Sequence, residues 1–249
     1  DEVKVSCNAF YMATTEVTNF QYREFLYDLK SKGELEKYKI AVPDTSQWNK
    51  QFENSYFEPM ANLYFSHPAY DNYPVVNVSK EGADLYCQWL TAEMRKQFPD
   101  QKFNDFRLPM REEWIYAAKG GLEDAPYPWG GPSTMNSKGC YLANYLQTGD
   151  QNIMRDENGE LVIAYGKDWL YNSPEDYQTV APSNSYAPNG YGLYNMSGNC
   201  AELVAKEDLV MGGSWMSPGG DIKVNSSEKY EGANPMVGFR PVVSYVKVD

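Results

Sequence analysis

The chain has 249 residues, a formal net charge of -12 and a pI of about 4.6. That balance argues against nucleic acid as a partner, because phosphate binding needs a basic stripe that the scattered Lys and Arg do not supply. Hydrophobic residues make up 42% and aromatics 15%, with 21 Tyr and 6 Trp, which excludes a low-complexity or disordered chain and predicts a single domain over residues 1–249 with a substantial core.

Phe10 to Thr15 reads as a strand. Thr18 then opens a helix with Gln21 three residues on, the capping-box pattern that satisfies two otherwise orphaned amides. Tyr22, Phe25, Leu26 and Leu29 follow at helical spacing, which predicts one buried face ending near Ser31-Lys32-Gly33. Residues 34–73, rich in Tyr, Phe, Asn and Pro without sustained periodicity, predict an ordered irregular segment held by aromatic packing. Pro74 to Val78 reads as a short buried strand. Ser79 caps a second helix with Ala83, Tyr86, Cys87 and Leu90 inward, reaching about Phe98.

Phe106-Arg107-Leu108-Pro109 leads into a short third helix, Glu112 to Ala118, closed by Gly120-Gly121. Beyond it helical periodicity is absent and turn formers dominate. Asn158-Gly159 between Ile153-Met154-Arg155 and Leu161-Val162-Ile163 is a hairpin signal. No internal repeat is present. The pattern predicts an α+β fold with little regular secondary structure.

Cys7, Cys87, Cys140 and Cys200 are widely and irregularly spaced with no C-x-x-C, so a zinc knuckle is disfavoured and three disulfide pairings are open. Unpaired buried thiols are the default expectation. The one histidine, His67, excludes multi-histidine metal sites and leaves Ser-His-Asp chemistry a single route. Its aromatic loop, Tyr64 to Tyr70, points to a structural role. No apolar run of about 18 residues predicts a membrane span. Asp1-Glu2-Val3-Lys4 does not read as a signal peptide, so a mature or trimmed start is expected, and a missing leader is no argument for the cytoplasm.

Seven segments, in order, resemble the formylglycine-generating enzyme (sulfatase-modifying factor) family. They are Thr15-Glu16-Val17-Thr18-Asn19; Tyr73 to Ser79; Phe106 to Trp114; Tyr127-Pro128-Trp129-Gly130; Ala187 to Asn195; Gly212-Gly213-Ser214-Trp215; and Gly238-Phe239-Arg240. The resemblance implies that family's variant of the C-type-lectin fold across nearly the whole chain. It also implies a first calcium site from the Asn195 side chain, the Gly198 and Cys200 carbonyls and the Glu202 side chain; calcium takes hard oxygens, so a cysteine contributing only its carbonyl is acceptable. A second site is implied at Asn144, the Tyr145 carbonyl, and Glu175 or Asp176 with Tyr177.

The family's catalytic pair departs. Its two copper-binding cysteines fall on Ser217 and Ile222, and soft Cu(I) needs soft thiolates, so no copper and no catalytic residue is expected. Met211 stands just before Gly212, the tail has no arginine until Arg240, and the calcium loop's Trp-Glu-Trp becomes Ala201-Glu202-Leu203. Within the family the chain is similar to gliding-motility and type IX secretion lipoproteins, on Tyr64 to Val76, the hairpin near Met154-Arg155-Asp156, and Gly198 to Glu202.

That similarity implies a non-catalytic, calcium-stabilised module with a structural or interaction role in a cell-envelope assembly. Envelope protein partners and a periplasmic or surface address would follow, with a lipid anchor in the full-length protein. The alternative is a lectin-like binder of glycan or peptide, with Trp215, Tyr230 and Tyr245 lining a groove. A third reading, an oxidase using another nucleophile, would rest on Ser217 with the distant His67 as base.

Overall fold

The computed structural model describes residues 7–51, 58–147, 153–155, 158, 161–163 and 179–246. Strand β1 (Phe10–Met12) pairs antiparallel with β8 (Val242–Ser244), Tyr11 opposite Val243, so the two ends of the described chain lie side by side. Helix α1 (Asn19–Ser31) starts at the predicted capping box: the Thr18 N–H donates to the Gln21 side chain at 3.0 Å and the Gln21 N–H donates to the Thr18 hydroxyl at 3.3 Å.

The main helix of the first half, α5 (Lys80–Gln97), is capped by the Ser79 hydroxyl, which accepts the Gly82 N–H at 3.0 Å. It lies against α1 through aromatic rings: Tyr22 stacks on Tyr86 at 5.6 Å, Phe25 meets Tyr86 edge-on at 5.6 Å, and Phe239 meets it at 5.5 Å. Offset and edge-on rings add specific geometry to the burial itself. Gly82 allows a third helix into this contact: a Cβ there would stand 3.3 Å from the Ala41 Cα. The Tyr22 hydroxyl donates to the Ala41 carbonyl at 2.8 Å.

Residues 34–73 are more regular than their sequence pattern predicts. They hold α2 (Leu35–Ala41), α3 (Gln47–Gln51), α4 (Glu58–Leu63) and a 3-10 turn at Pro68–Tyr70. Segments this short complete one or two turns, too few for a 3.6-residue period to register. Aromatic packing supports them as expected, with Trp48 5.2 Å from Tyr64 and 6.4 Å from Trp215.

Pro74 to Val78 is buried but forms no ladder. An isolated bridge joins Thr18 to Pro74, Val75 donates to the Val17 carbonyl at 2.8 Å, and Asn77 stands at φ 62°. A left-handed residue turns the chain out of extended geometry, so pairing stops there.

Helix α6 (Arg111–Lys119) ends at Gly120 in the left-handed conformation, φ 59°. A Cβ at Gly120 would lie 2.8 Å from the Gly190 nitrogen. The predicted hairpin forms, β2 (Ile153–Arg155) against β3 (Leu161–Ile163), with Asn158 in the turn; Gly159 lies outside the described residues. The remaining strands, β4 (Ala201–Leu203), β5 (Leu209–Met211), β6 (Ser227–Lys229) and β7 (Val237–Gly238), make a four-stranded sheet in the order β6-β5-β4-β7. Its β4–β7 pair is parallel and the others are antiparallel.

The whole is an α+β fold, with no helix after Lys119 among the described residues. None of the described helices is long and apolar enough to cross a membrane. All four cysteines are unpaired, but only Cys87 and Cys200 are buried. Cys7 and Cys140 correct the expectation of buried thiols; Cys140 sits in a surface turn where its N–H donates to the Asn136 side chain.

Candidate functional site

The loop from Asn195 into β4 is built on backbone conformations that few residues tolerate. Asn195, Gly198 and Asn199 have φ of 52°, 72° and 63°, and asparagine and glycine are the residues that visit this region most readily. At Gly198 no other residue fits, because a Cβ would stand 2.2 Å from the Asn144 carbonyl oxygen. The close approach lets the Asn199 N–H reach that same oxygen at 2.7 Å. The Gly198 N–H donates to Gly212 at 2.8 Å and the Trp215 N–H donates to Asn199 at 3.0 Å, so the Gly-Gly-Ser-Trp stretch is sewn to the loop. Gly212 in turn lies flat on Trp114, where a Cβ would be 2.9 Å from the indole.

Glu202, on β4, meets Arg240 in a fully buried pair. The Arg240 Nε donates to Glu202 Oε2 at 2.7 Å and its Nη2 donates to Oε1 at 2.6 Å, while the Trp114 indole N–H donates to Oε2 at 2.8 Å. The other Arg240 N–H groups go to the carbonyls of Ala13 and Thr14, both at 3.2 Å, and of Tyr194 at 2.8 Å. Every guanidinium donor therefore has an acceptor, the condition under which a buried charge is tolerable.

A second acid lies in the same interior. Glu16 is wholly buried, accepts from the Asn199 side-chain amide at 2.8 Å, and stands 3.9 Å from the Cys200 sulfur. Burial pushes its carboxyl up to about 7, with Arg240 pulling the other way and Glu202 adding to the rise. Burial also holds the Cys200 thiol well above the usual thiol range, and the Glu16 and Glu202 carboxylates raise it further. Glu16, Trp114 and Arg240 all lie within the segments that carried the family resemblance. Nothing in their spacing shows that three distant segments close on one another.

The first implied calcium set can be tested against this geometry. Asn195 donates through its amide nitrogen to the Ser183 carbonyl at 3.1 Å, which orients its oxygen the other way. Glu202 accepts three hydrogen bonds out of about four acceptor positions on a carboxylate, so Oε1 keeps one for a cation. A cation held there would meet Glu202 as a monodentate ligand whose charge is already shared with Arg240.

For the second set, the Asn144 amide nitrogen donates to the Thr179 carbonyl at 2.7 Å and the Tyr145 hydroxyl donates to Thr134 at 2.8 Å. Glu175, Asp176 and Tyr177 lie outside the described residues. Among the described residues no group of three His, Cys, Asp or Glu side chains gathers around one point.

The positions implied for the cysteine pair are packed closed. Ile222 is fully buried beside Tyr127 and Ala143, and its carbonyl accepts the Ser197 hydroxyl at 2.6 Å. The Ser217 hydroxyl accepts the Ser214 N–H at 2.9 Å and lies 3.3 Å from a Glu228 oxygen. His67 is engaged elsewhere, capping the 3-10 turn by accepting the Ala69 N–H at 3.1 Å. The three aromatics expected to line a groove fall in three settings. Trp215 is buried on Trp48, Tyr230 is half-buried with its hydroxyl donating to Val78, and exposed Tyr245 lies 6.2 Å from Tyr11.

Residues 2–245 match the Sulfatase-modifying factor enzyme 1-like domain. The formylglycine-generating enzyme of Mus musculus is 28% identical over 217 residues, covering 80% of this chain and 49% of that protein; the chain thus spans about half of that relative's length. A protein of Bos taurus named inactive C-alpha-formylglycine-generating enzyme 2 is 24% identical over 239 residues, 86% of this chain and 67% of that one. The crystal structure of CarF superimposes with a TM-score of 0.60 at 21% identity, covering 95% of this chain and 87% of that chain.

Replacing Arg240 by Met strands the Glu202 charge in the interior and is expected to cost about 3–5 kcal/mol, read as a lower urea midpoint with an unchanged slope. A loss below about 1 kcal/mol, the usual worth of an exposed pair, would show that Glu202 finds another partner. For Glu16 the sign follows from its raised pKa. Its ordinary value is 4.5, and the fold keeps the proton that the open chain has released, so the stabilising share is complete below that value and is lost as pH rises toward about 7. Urea melts at pH 5 and pH 7.5 are expected to differ by more in the native chain than in Glu16→Gln; equal differences would remove Glu16 as the cause.

Proposed function

The chain belongs to the sulfatase-modifying factor family, and on that premise we propose that it is a non-catalytic member with a structural or interaction role. One observation carries the reading. Where the family's cysteines would stand, Ile222 is core and Ser217 is locked to the Ser214 backbone. A hydroxyl and an aliphatic chain cannot hold Cu(I), which needs soft thiolate ligands. Cys200 offers no substitute, since its thiol is buried and held protonated by burial and by neighbouring carboxylates. Ser217 does not make a nucleophile either: it has a carboxylate within reach but no imidazole to take its proton. The Bos taurus relative named inactive, which aligns over 86% of this chain, supports the reading.

Calcium is part of the proposal. Asn195, the Gly198 and Cys200 carbonyls and the remaining Glu202 position are hard oxygens of the kind calcium takes. A cell-envelope setting is also proposed, periplasmic or at the surface, with a lipid anchor in a longer form of the chain. It rests on the three segments similar to gliding-motility and type IX secretion lipoproteins. Fractionation of the full-length gene product with labelling of lipidated cysteine tests it, and an unlabelled product in the soluble fraction would sink it.

Copper-loaded protein incubated with a cysteine-containing sulfatase peptide is expected to yield no formylglycine by mass spectrometry; product above the metal-only control would overturn the non-catalytic reading. A chelator is expected to lower the melting temperature by a few degrees, since an ion that binds only the folded state stabilises it by mass action. The response is expected to shrink in Glu202→Gln. A melt indifferent to chelator would assign the loop to its hydrogen bonds and to Arg240 alone.

A further inference from the structure

Strand β1 has one free edge. Its ladder with β8 places Ala9, Tyr11 and Ala13 in the hydrogen-bonded positions, because the Tyr245 N–H donates to Ala9 and the Ala13 N–H donates to Pro241. In an antiparallel pair the alternate residues turn their N–H and C=O away from the partner strand. These are Phe10 and Met12, and no main-chain partner for them exists among the described residues. An unpaired edge of this kind is a template for another extended chain.

The edge opens onto a groove of about 980 Å³ between β1 and α6. Phe10 and Met12 form one wall, and Arg111, Tyr116 and Lys119 form the other, with Tyr191 closing one side. Tyr116 and Tyr191 are 56% and 47% exposed, and they hold each other at 5.8 Å with their hydroxyls 3.2 Å apart. The Arg111 guanidinium lines the groove, and among the described residues no carboxylate pairs with it. The described lining of the groove carries two cations, Arg111 and Lys119, and one acid, Glu112.

We propose that this groove binds an extended peptide as an added strand on β1, with an acidic side chain on Arg111 and an apolar or aromatic side chain on the Tyr116–Tyr191 pair. The proposal rests on the interaction reading above and names its partner class. The occupant follows from the three features together. Unpaired main-chain groups at alternate residues specify an extended backbone. A guanidinium in the wall with no carboxylate paired to it specifies an anionic oxygen acceptor. The two rings supply a stacking surface for an apolar side chain. From Arg111 to Lys119 the helix runs about 12 Å at 1.5 Å per residue, the reach of about four extended residues. Ser217 and Ile222 do not line this groove.

The test is a library of capped hexapeptides, each carrying one Asp and one Phe two positions apart so that both face the same side of an extended chain. Binding is read by fluorescence polarisation on fluorescein-labelled peptides. Hexapeptides that bind are expected to weaken about tenfold when Asp becomes Asn, consistent with loss of one charge-assisted hydrogen bond, and to weaken by a similar factor against Arg111→Gln. The two losses are expected not to add, since both remove the same contact.

Alternate N-methylation of the peptide is expected to abolish binding in one register and spare it in the other, which separates strand addition from side-chain capture. Melting curves of Arg111→Gln show whether that variant folds, and the peptide-side changes carry the test if it does not. A library with no binder at 1 mM would overturn the proposal, as would binders indifferent both to N-methylation register and to the Asp. Tight binding that shortening the chain to start at Cys7 creates, in a protein otherwise unable to bind, would assign the groove to the chain's own first residues. The formylglycine assay is unaffected by any of these outcomes, so a failed groove and a failed non-catalytic reading are told apart.

Discussion

The structure depends on satisfying one buried guanidinium. Arg240 is inaccessible to solvent, and a charge of that kind is tolerated only when paired and fully hydrogen-bonded. Its acceptors come from the Ala13-Thr14 turn after β1, from Tyr194 at the head of the Asn195 loop, and from Glu202 on β4. Trp114 adds α6 to the same carboxylate. The Ala13-Thr14 turn, the Tyr194–Glu202 stretch and α6 therefore all close on one buried ion pair. Such a network defines the arrangement of a fold with few long strands more sharply than its short ladders do.

On the proposed non-catalytic reading, that dependence lets the family's chemistry and its fold come apart. The buried network reaches the Asn195 loop, β1, β4 and α6, and none of its hydrogen bonds passes through the side chains of Ser217 or Ile222. Those two positions belong to a smaller core with Tyr127 and Ala143 and to the Ser214 turn. Exchanging thiols for a hydroxyl and an aliphatic side chain there alters the chemistry while leaving the main support untouched. Function resides in a site carried by the fold and not in the fold itself. Glu16 shows the cost of the same interior: a second carboxylate near Glu202 is held partly protonated by burial.

Local chemistry was legible wherever a few consecutive residues settle the outcome. Thr18 with Gln21, Ser79, and Gly120 each start or stop a helix through their own side chain or their lack of one, and the structure places them at those ends. The order of motifs likewise identifies the family over residues 2–245. Residues 34–73 were not legible in the same way, because α2, α3 and α4 complete only one or two turns, too few for a helical period to show. The Val75–Val78 run was apolar for burial, and a left-handed Asn77 took it out of the sheet. Trp215 looked suited to a groove and instead fills the space beside Trp48.

The sequence alone determined the ends of α1, α5 and α6, the absence of thiols after Cys200 and the residues able to supply hard oxygens. Only the tertiary structure decided which of those residues meet. It put Glu202 on Arg240, brought Glu16 into the same interior, closed the Ser217–Ile222 region and left β1 with an open edge beside Arg111 and Tyr116. The physical reason is range. Caps and turns act over three or four residues, whereas a buried charge is stabilised by whichever acceptors the packed chain delivers to it, and their separation along the chain leaves no mark on local pattern.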